Sequence, residues 1–259
     1  MEQILMGKEK QAPYICDAGQ QESYGIKNHL TFSVKDANGI LGKLNINRIR
    51  NTIQWAATGY ETVIDIEKIV QEVYKNIFDG IGGSQLIDAL LLGTTVFIEN
   101  HPAYSFVAKR LLFKKLYREA TNTSTASSDV ESTYRTHFVA TIKQGVDAKL
   151  LDPRMLQFDL EHLAQAIVPE RDDLFDFMGL STLYKRYFLR HQNRHIELPQ
   201  AFWMRVAMGL ALEETDKETW AIKFYNIISQ MRYVPGTPTL LHSGLMRPQL
   251  SSCFLTTIN

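Results

Sequence analysis

The chain contains 259 residues, 45% of them hydrophobic, and its 28 Lys and Arg residues balance 28 Asp and Glu residues to give a formal net charge of zero. This length suffices for two modest domains with packed cores. A neutral balance disfavours a nucleic-acid-binding protein that relies on a basic surface, whereas a nucleotide site needs only a few local cations. The sequence shows no secretory signal and no long apolar run, so we expect a cytoplasmic protein that contacts neither nucleic acid nor membrane.

The chain has two cysteines, Cys16 and Cys253. Two cysteines are too few for a zinc ribbon, which needs about four ligands, and we expect no metal site in this chain. A structural disulfide between such distant positions is disfavoured in a reducing cytosol. Residues 1–28 mix Gly, Gln, Lys and Pro without a sustained period, which predicts a disordered tail that contains Cys16.

A small β hairpin and four helices are predicted between residues 29 and 120. Alternation in His29–Val34 indicates a strand, Asp36–Gly39 indicates a turn, and Ile40–Leu44 could be the return strand. Apolar residues then recur at helical spacing in four segments, each of which begins near a capping residue or a proline. The predicted helices run from Ile46 to Thr58 after the cap Asn45, from Ile66 to about Ile77 after Asp65, from the cap Ser84 to about Glu99, and from Pro102 to about Arg118.

The clearest linker is the small polar run Thr121–Asp129, and we place a domain boundary within residues 121–135. A second helical domain is predicted for residues 136–235. Its helix at 199–212 is apolar almost all round and is therefore expected to be buried. Residues 236–259 are expected to be irregular at first and to end in a strand, Cys253–Ile258. The other helices predicted in this half are Phe138–Gly145, Phe158–Ile167, Gly179–Arg190 and one that begins at the cap Asp216 and ends near Gln230.

Two groups of polar residues could in principle bind a metal ion. Asp172, Asp173 and Asp176 lie close together in the sequence, but such a cluster is more typical of helix-start caps than of a divalent-ion site. His191 and His195 could share one helix face. No glutamate follows the first histidine as it does in zinc helices, so a solvated loop is favoured here.

Two runs near the end of the chain carry the most specific pattern. The first, Leu198–Gly209, reads LPQAFWMRVAMG, and the second joins TPTLLHSG from Thr237 with RPQLSSCF from Arg247. Together they resemble the large subunit of class I ribonucleotide reductases. The first run is similar to the helix that precedes the substrate site in that family, and the second to its substrate loop and first barrel strand.

The resemblance implies radical chemistry that replaces a ribose 2′-hydroxyl with hydrogen, with two electrons supplied by a cysteine pair that ends as a disulfide. Cys253 matches the first, redox-active cysteine of that pair. Thr237 and Ser252, with Cys253, match positions that bind the ribonucleoside diphosphate substrate. The partner cysteine and the rest of the barrel come later in the family's chain, so we expect this chain to be inactive alone and to need them and the radical-generating small subunit. The alternative for Cys253 is a small buried residue on a strand.

The first half carries a second set of motifs, which lie in four short runs. They are Leu44–Ile49, Trp55–Gly59, Asp79–Ile81 and Tyr104–Leu111. Residues 29–120 thereby resemble the ATP-cone, a regulatory nucleotide-binding domain often placed at the N-terminus of these subunits. The resemblance makes ATP or dATP candidate allosteric effectors, with Lys35, Asn45, Arg48, Ile49 and Arg118 as candidate contacts.

Several positions depart from the cone pattern. The usual Lys-Arg-Asp-Gly hairpin is replaced by Lys35–Gly39, and Gly42 replaces an acidic residue. Gly83 and Ile87 stand where a threonine and a polar residue are common. Because each charged hydrogen bond contributes about 1.5–3 kcal/mol, losing two or three would weaken nucleotide binding by orders of magnitude. We therefore favour a degenerate site, on a cone-shaped structural domain, over one that still binds ATP or dATP.

The expected fold is mainly α. An ATP-cone-like domain (29–120) would precede an all-helical domain (136–235) that ends in the first strand of an incomplete α/β barrel (236–259). The expected function is that of an N-terminal part of ribonucleoside-diphosphate reductase, which makes deoxyribonucleotides for DNA synthesis. The alternative is a non-catalytic regulatory or interaction protein built on an ATP-cone fold.

Overall fold

The computed structural model describes residues 32–35, 39–122 and 130–257. The predicted tail with Cys16, the turn residues 36–38 and residues 123–129 of the predicted linker lie outside this part of the chain. The described part is mainly helical, which confirms the expected fold class. Its α-helices are α1 (Ile46–Ala56), α2 (Ile66–Lys75), α3 (Gly83–Thr95), α4 (Ala103–Thr121), α5 (Val130–Asp147), α6 (Leu160–Gln165), α7 (Phe177–Arg186), α8 (Pro199–Leu210), α9 (Lys217–Ser229) and α10 (Thr237–His242), and its 3-10 helices are Pro153–Gln157 and Pro169–Leu174.

A three-stranded sheet covers one end of the first four helices. Strands β1 (Ser33–Lys35) and β2 (Leu41–Lys43) pair antiparallel, as the hairpin pattern predicts. Strand β3 (Ile81–Gly82) pairs parallel with β1, and the sequence pattern does not predict this third strand. The carboxylate of Asp79 accepts hydrogen bonds from the Ser33 amide and hydroxyl, at 2.8 and 2.7 Å, which holds the start of β3 against β1.

Side-chain caps define where the first helices begin. The Asn45 side chain accepts from the amides of Asn47 and Arg48 and starts α1, and Asp65 caps α2 in the same way, so both predicted caps are confirmed. The prediction that Ser84 caps α3 is wrong. The capping position is instead Gly82, two residues earlier, and the helix begins at Gly83, because the Gln85 side chain turns back to accept from the Gly82 amide at 3.0 Å.

Helix α4 contributes to two hydrophobic cores. Val107 and Leu111 pack with α1–α3 in the first core, whereas Leu112 and Leu116 pack in the second core with α5–α9. A rigid helix shared by two cores joins them without a hinge at that point. The predicted range of the linker overlaps ordered structure, since α5 begins at Val130 and extends eight residues further toward the N-terminus than the predicted start at Phe138.

Helix α8 is the central helix of the second core. Its residues from Pro199 to Met208 are all buried, which confirms the prediction from its composition. Helix α9 lies alongside it and is capped by Asp216, as predicted. No helix in the described part of the chain is long and apolar enough to cross a membrane.

Three local predictions in this half are wrong. The predicted loop around His191 and His195 is a hairpin of β4 (Arg190–His191) and β5 (Arg194–His195), and His195 is only 4% exposed. The two turn residues between the strands have positive φ, typical of a type I′ turn. The segment after Gly236 forms α10 instead of an irregular loop.

The predicted strand at Cys253–Ile258 is also absent from the residues described, which end at 257. Residues 253–257 are exposed, and Leu255 is fully so. A strand is stable only when a neighbour completes its hydrogen bonds, and no described strand lies beside this segment. Strand composition alone was therefore not enough to predict a strand at Cys253–Ile258.

Candidate functional site

Helix α10 begins at Thr237, and two of its side chains hold the segment that precedes Cys253. The Thr239 hydroxyl donates to the Leu250 carbonyl at 3.3 Å, and Nδ1 of His242 lies 3.0 Å from the Gln249 carbonyl. These bonds fold the chain back on α10 two residues before Ser252. The three predicted substrate-site residues therefore belong to one folded segment, which we call the α10 segment (residues 237–253).

The side chains of this segment that carry chemistry face solvent. Cys253 is a free, exposed thiol, and the Ser252 hydroxyl lies 3.7 Å from its Sγ. This exposure does not fit the alternative of a small buried Cys253 on a strand. Thr237 is exposed, and its Oγ1 lies 3.1 Å from the phenolic oxygen of Tyr187 at the end of α7. Hydroxyl, phenol and thiol groups that are open to solvent can meet a polar substrate directly.

A second group of residues on the first four helices forms a positive cluster. Burial and the positive charges of Arg48 and Arg118 lower the pKa of Lys114. Arg48 lies on α1, whereas Lys114 and Arg118 lie one turn apart on α4. Within the described residues, none of these three cations forms an ion pair with a carboxylate. We call Arg48, Lys114 and Arg118 the cation cluster, and its uncompensated charge favours an anion.

Comparison with known proteins identifies the family. Residues 173–248 match the model of the ribonucleotide reductase all-α domain. The chain is 40% identical over 229 residues to the ribonucleoside-diphosphate reductase subunit alpha of Chlamydia muridarum, which covers 88% of this chain and 22% of that protein. The subunit alpha of Chlamydia trachomatis is 42% identical over 203 residues, which is 78% of this chain and 19% of that protein. The chain belongs to the ribonucleotide reductase large-subunit family.

The similarity extends to a eukaryotic large subunit. The ribonucleoside-diphosphate reductase large subunit of Plasmodium falciparum is 31% identical over 216 residues, or 82% of this chain and 26% of that protein. The chain therefore spans about a fifth to a quarter of the length of these relatives, and it corresponds to their N-terminal part. The matched all-α domain contains α8, α9 and α10, so Thr237 lies inside it, whereas Ser252 and Cys253 follow it directly.

The other cone residues predicted for a nucleotide site have different surroundings. Asn45 uses its side chain to cap α1, and Ile49 is 2% exposed in the first core. The Lys35 side chain lies beside Gly80, where an added Cβ would be 3.7 Å from its Cε. Among the predicted cone residues, Arg48 and Arg118 are thus the two that contribute charge to the exposed cation cluster.

Gly83 leaves space next to the guanidinium of Arg118 in the cation cluster. A Cβ built on Gly83 would lie 3.7 and 3.8 Å from the two terminal guanidinium nitrogens of Arg118, an ordinary contact distance. The residue therefore borders the cation cluster, as its motif position implies. By contrast, Ile87 is 9% exposed on α3, so its side chain is directed into the protein and offers no polar group.

Sequence reasoning missed two residues of these sites, Lys114 and Tyr187. Lys114 could have been found because it precedes Arg118 by four residues on a predicted helix, which puts both side chains on one face. Tyr187 could not, because it lies fifty residues before Thr237 and meets it only where the folded chain brings the end of α7 to the start of α10.

The predicted aspartate cluster also has a different structure from the one expected. Asp176 caps α7, as a helix-start residue should, and Asp173 is exposed. The Asp172 carboxylate instead accepts from the phenol of Tyr134 at 2.5 Å and from Nε2 of Gln200 at 2.8 Å, and both partners are fully buried. Burial raises the pKa of Asp172 to about 7, although the two hydrogen bonds act in the opposite direction and lower it.

A polar contact joins helix α4 to helix α7 and strand β5. The Glu119 carboxylate on α4 accepts from the phenol of Tyr184 on α7, and it lies 2.7 Å from Nδ1 of His195 on β5. Burial disfavours the charged carboxylate, but the hydrogen bonds from His195 and Tyr184 outweigh it and lower the pKa of Glu119. The end of α4, which carries Arg118, is therefore fixed to α7, which ends beside Tyr187.

Proposed function

We propose that this chain supplies the N-terminal part of a ribonucleoside-diphosphate reductase large subunit, a cytoplasmic enzyme that makes deoxyribonucleotides for DNA synthesis. The observation that carries the proposal is the α10 segment. It presents Thr237, Ser252 and Cys253 to solvent on one folded unit, in a chain whose similarity to such subunits extends over most of its length.

In the proposed reaction Cys253 is one of two reductant thiols. The C2′–OH bond of the ribose breaks, a C2′–H bond forms, and the oxygen leaves as water. Two cysteine thiols are oxidised to one disulfide and so provide the two electrons and two protons that this exchange requires. The second cysteine and the thiyl radical come from the rest of the large subunit and from the small subunit, so this chain alone performs no turnover.

The roles of the neighbouring hydroxyl groups follow from their positions. Thr237 and Ser252 are proposed to hold the ribonucleoside diphosphate through hydrogen bonds to its polar groups. The 3.7 Å contact between the Ser252 hydroxyl and the Cys253 sulfur supports a role for Ser252 in orienting the thiol as well. Neither role needs a metal ion in this chain.

A second proposal concerns the cation cluster. Although the departures from the cone pattern favour a degenerate site, the three positive charges of the cluster form no ion pair with a carboxylate in the described part of the chain, and they match the phosphates of ATP or dATP. At close range, charged hydrogen bonds from Arg48 and Arg118 would each contribute about 1.5–3 kcal/mol to nucleotide binding. Such binding would make the first domain a regulatory one. The residues that are absent from the usual cone pattern would lower its affinity.

A chimeric subunit tests the main proposal. This chain replaces the matching segment of the Chlamydia muridarum subunit alpha, and the product is assayed with that organism's small subunit for conversion of a ribonucleoside diphosphate to the deoxy form. We expect turnover, no turnover after Cys253→Ser, and unchanged turnover after Cys16→Ser. A folded chimera that binds the small subunit but makes no deoxyribonucleotide would favour the non-catalytic alternative.

Isothermal titration of the isolated chain with ATP and dATP tests the cation cluster separately. Micromolar binding of either nucleotide would support the regulatory proposal. Heats that match the dilution control at the highest nucleotide concentration would show that the site is degenerate, whatever the chimera does.

A further inference from the structure

Helix α10 is held at its C-terminal end by a buried arginine from another helix. Arg205 on α8 is completely buried, and its Nη1 donates to the Ser243 carbonyl at 2.7 Å. Ser243 directly follows α10, and its own hydroxyl donates to the Val206 carbonyl on α8 at 2.8 Å. Two hydrogen bonds, one in each direction, therefore tie the end of α10 to α8.

Glu197 fixes the arginine that makes this contact. Its Oε1 accepts from Nε of Arg205 at 2.7 Å, and its Oε2 lies 3.3 Å from Nη2. Glu197 is 1% exposed and also accepts from the Leu189 amide at 2.8 Å. Because the guanidinium is planar and held along one edge, its remaining nitrogen can point in only one direction, which is toward Ser243.

The chain after Ser243 is fixed on the opposite side as well. The Asp152 amide donates to the Gly244 carbonyl at 3.0 Å, and the Met246 amide donates to the Leu150 carbonyl at 3.1 Å. The α10 segment thus leaves its helix between α8 and residues 150–152, with main-chain bonds on both sides. This arrangement allows little displacement along α8.

The N-terminal end of α10 has a contact of another kind. The Tyr187 phenol meets the Thr237 hydroxyl at 3.1 Å, and both side chains are reachable from solvent. A single hydrogen bond at a partly exposed position adds little to global stability. It does fix the rotamer and the hydrogen-bond direction of Thr237, the residue proposed to bind substrate.

We propose that Arg205 and Tyr187 are positioning residues for the α10 segment. Arg205 fixes the end of α10, and Tyr187 orients the hydroxyl of Thr237. The inference rests on the proposed function, since it assigns Thr237 a substrate. Glu197 is a positioning residue as well, because it holds the guanidinium of Arg205 in place.

Hydrogen exchange of the isolated chain tests the positioning role of Arg205 without any activity assay. The double variant Arg205→Met with Glu197→Gln removes both charges together and leaves no unpaired buried ion. We expect the amides of Ser243, Leu245 and Met246 to exchange about tenfold or more faster, since a charged hydrogen bond is lost, while amides of α1–α4 stay unchanged. The control Ile142→Val removes one methyl group from the same core and should leave this local pattern intact.

Equal acceleration of all amides in the double variant would show that the pair serves global stability alone and would overturn its positioning role. No acceleration of the three amides would do the same. Both results are independent of whether the chimera is active, so they separate this inference from the proposed function.

Steady-state kinetics of the chimera test the positioning role of Tyr187. Tyr187→Phe removes one oxygen atom, so we expect an unchanged Tm together with a severalfold rise in KM for the nucleoside diphosphate, equivalent to about 1 kcal/mol for one hydrogen bond. Tyr233→Phe is the control, because Tyr233 is 62% exposed. An unchanged KM for Tyr187→Phe in an active chimera would refute the role of Tyr187.

Discussion

Gly209 on α8 lies against Gly244 so closely that the two backbones touch. A Cβ added at Gly209 would come within 2.1 Å of the Gly244 amide nitrogen and 2.3 Å of the Ser243 hydroxyl oxygen. Gly244 has a φ of +79°, a conformation that side chains disfavour. The close approach of α8 to the α10 segment therefore depends on glycine at both positions.

Gly209→Ala is expected to destabilise the protein by about 1–3 kcal/mol, because the added methyl group must push the segment away from α8. The free energy of unfolding in urea measures this effect. Gly42→Ala on β2 is the matched control, since a Cβ there meets no atom within 4 Å. Equal stability of the two variants would contradict the close approach.

Arg205→Met alone should cost about 3–5 kcal/mol of stability, because it leaves the Glu197 carboxylate buried without its partner. The double variant Arg205→Met with Glu197→Gln should recover most of that loss, since it leaves no isolated charge. Chemical denaturation of wild type, both single variants and the double variant gives the coupling energy directly. A double variant that is as unstable as Arg205→Met alone would show that the ion pair is not what the core requires.

The helical content of this fold was largely predictable from the sequence, and the reason lies in local physics. Asn45, Asp65 and Asp216 each stand immediately before an apolar run with helical spacing, and each proves to be a cap. Such signals act over three or four residues, so no knowledge of the tertiary structure is needed to interpret them.

Features that depend on distant partners were not predictable in the same way. Cys253–Ile258 has strand composition, but strands exist only where a neighbour pairs with them. Asp172 looks like an exposed helix-start residue until Tyr134 and Gln200, 38 and 28 residues away, enclose its carboxylate. The short strand β3 likewise needs β1 beside it.

The residues of the candidate site likewise fall into a group that the sequence predicts and a group that only the fold brings together. Thr237, Ser252 and Cys253 could be named because their motif is contiguous, whereas Tyr187 and Arg205 are recruited from other helices. Predicting such supporting residues would require the packing of α7 and α8 around α10. A single sequence does not contain that information in a form that periodicity or spacing can extract.

The buried Asp172 carboxyl should make stability depend on pH. Its folded-state pKa of about 7 lies above the usual value of 3.8, so between these values the folded protein binds more protons than the unfolded chain. Stability from this group is therefore fully present below pH 3.8 and is lost as the pH rises through 7. The slope in that window approaches about 1.4 kcal/mol per pH unit for one proton.

Asp172→Asn isolates this effect from the other titrating groups. The amide stays neutral, so the difference in unfolding free energy between variant and wild type should shift in favour of the variant as the pH rises from 5 to 8. Urea unfolding at several pH values measures it. Parallel profiles for the two proteins would mean that the Asp172 carboxyl does not titrate in this range.

Arg118→Ala should weaken ATP binding by about 10- to 100-fold, because it removes one charged hydrogen-bond donor from the cation cluster. Arg48→Ala should have an effect of similar size. Raising the salt concentration should weaken nucleotide binding to the wild-type chain, since Arg48 and Arg118 are both exposed and their charges are screened. Isothermal titration calorimetry provides all three measurements.

Arg50→Ala provides the matched control for these variants. Arg50 is also an arginine of α1, but its Nε and Nη2 already donate to the Glu67 carboxylate at 2.7 and 3.0 Å. Its charge is compensated, so its loss should change ATP affinity by less than about twofold, in keeping with the small contribution of an exposed ion pair. Equal losses for Arg50→Ala and Arg118→Ala would show that ATP responds only to the net charge of the domain. A loss confined to Arg48 and Arg118 would locate the phosphates at these two side chains, since no carboxylate in the described part of the chain neutralises their charge.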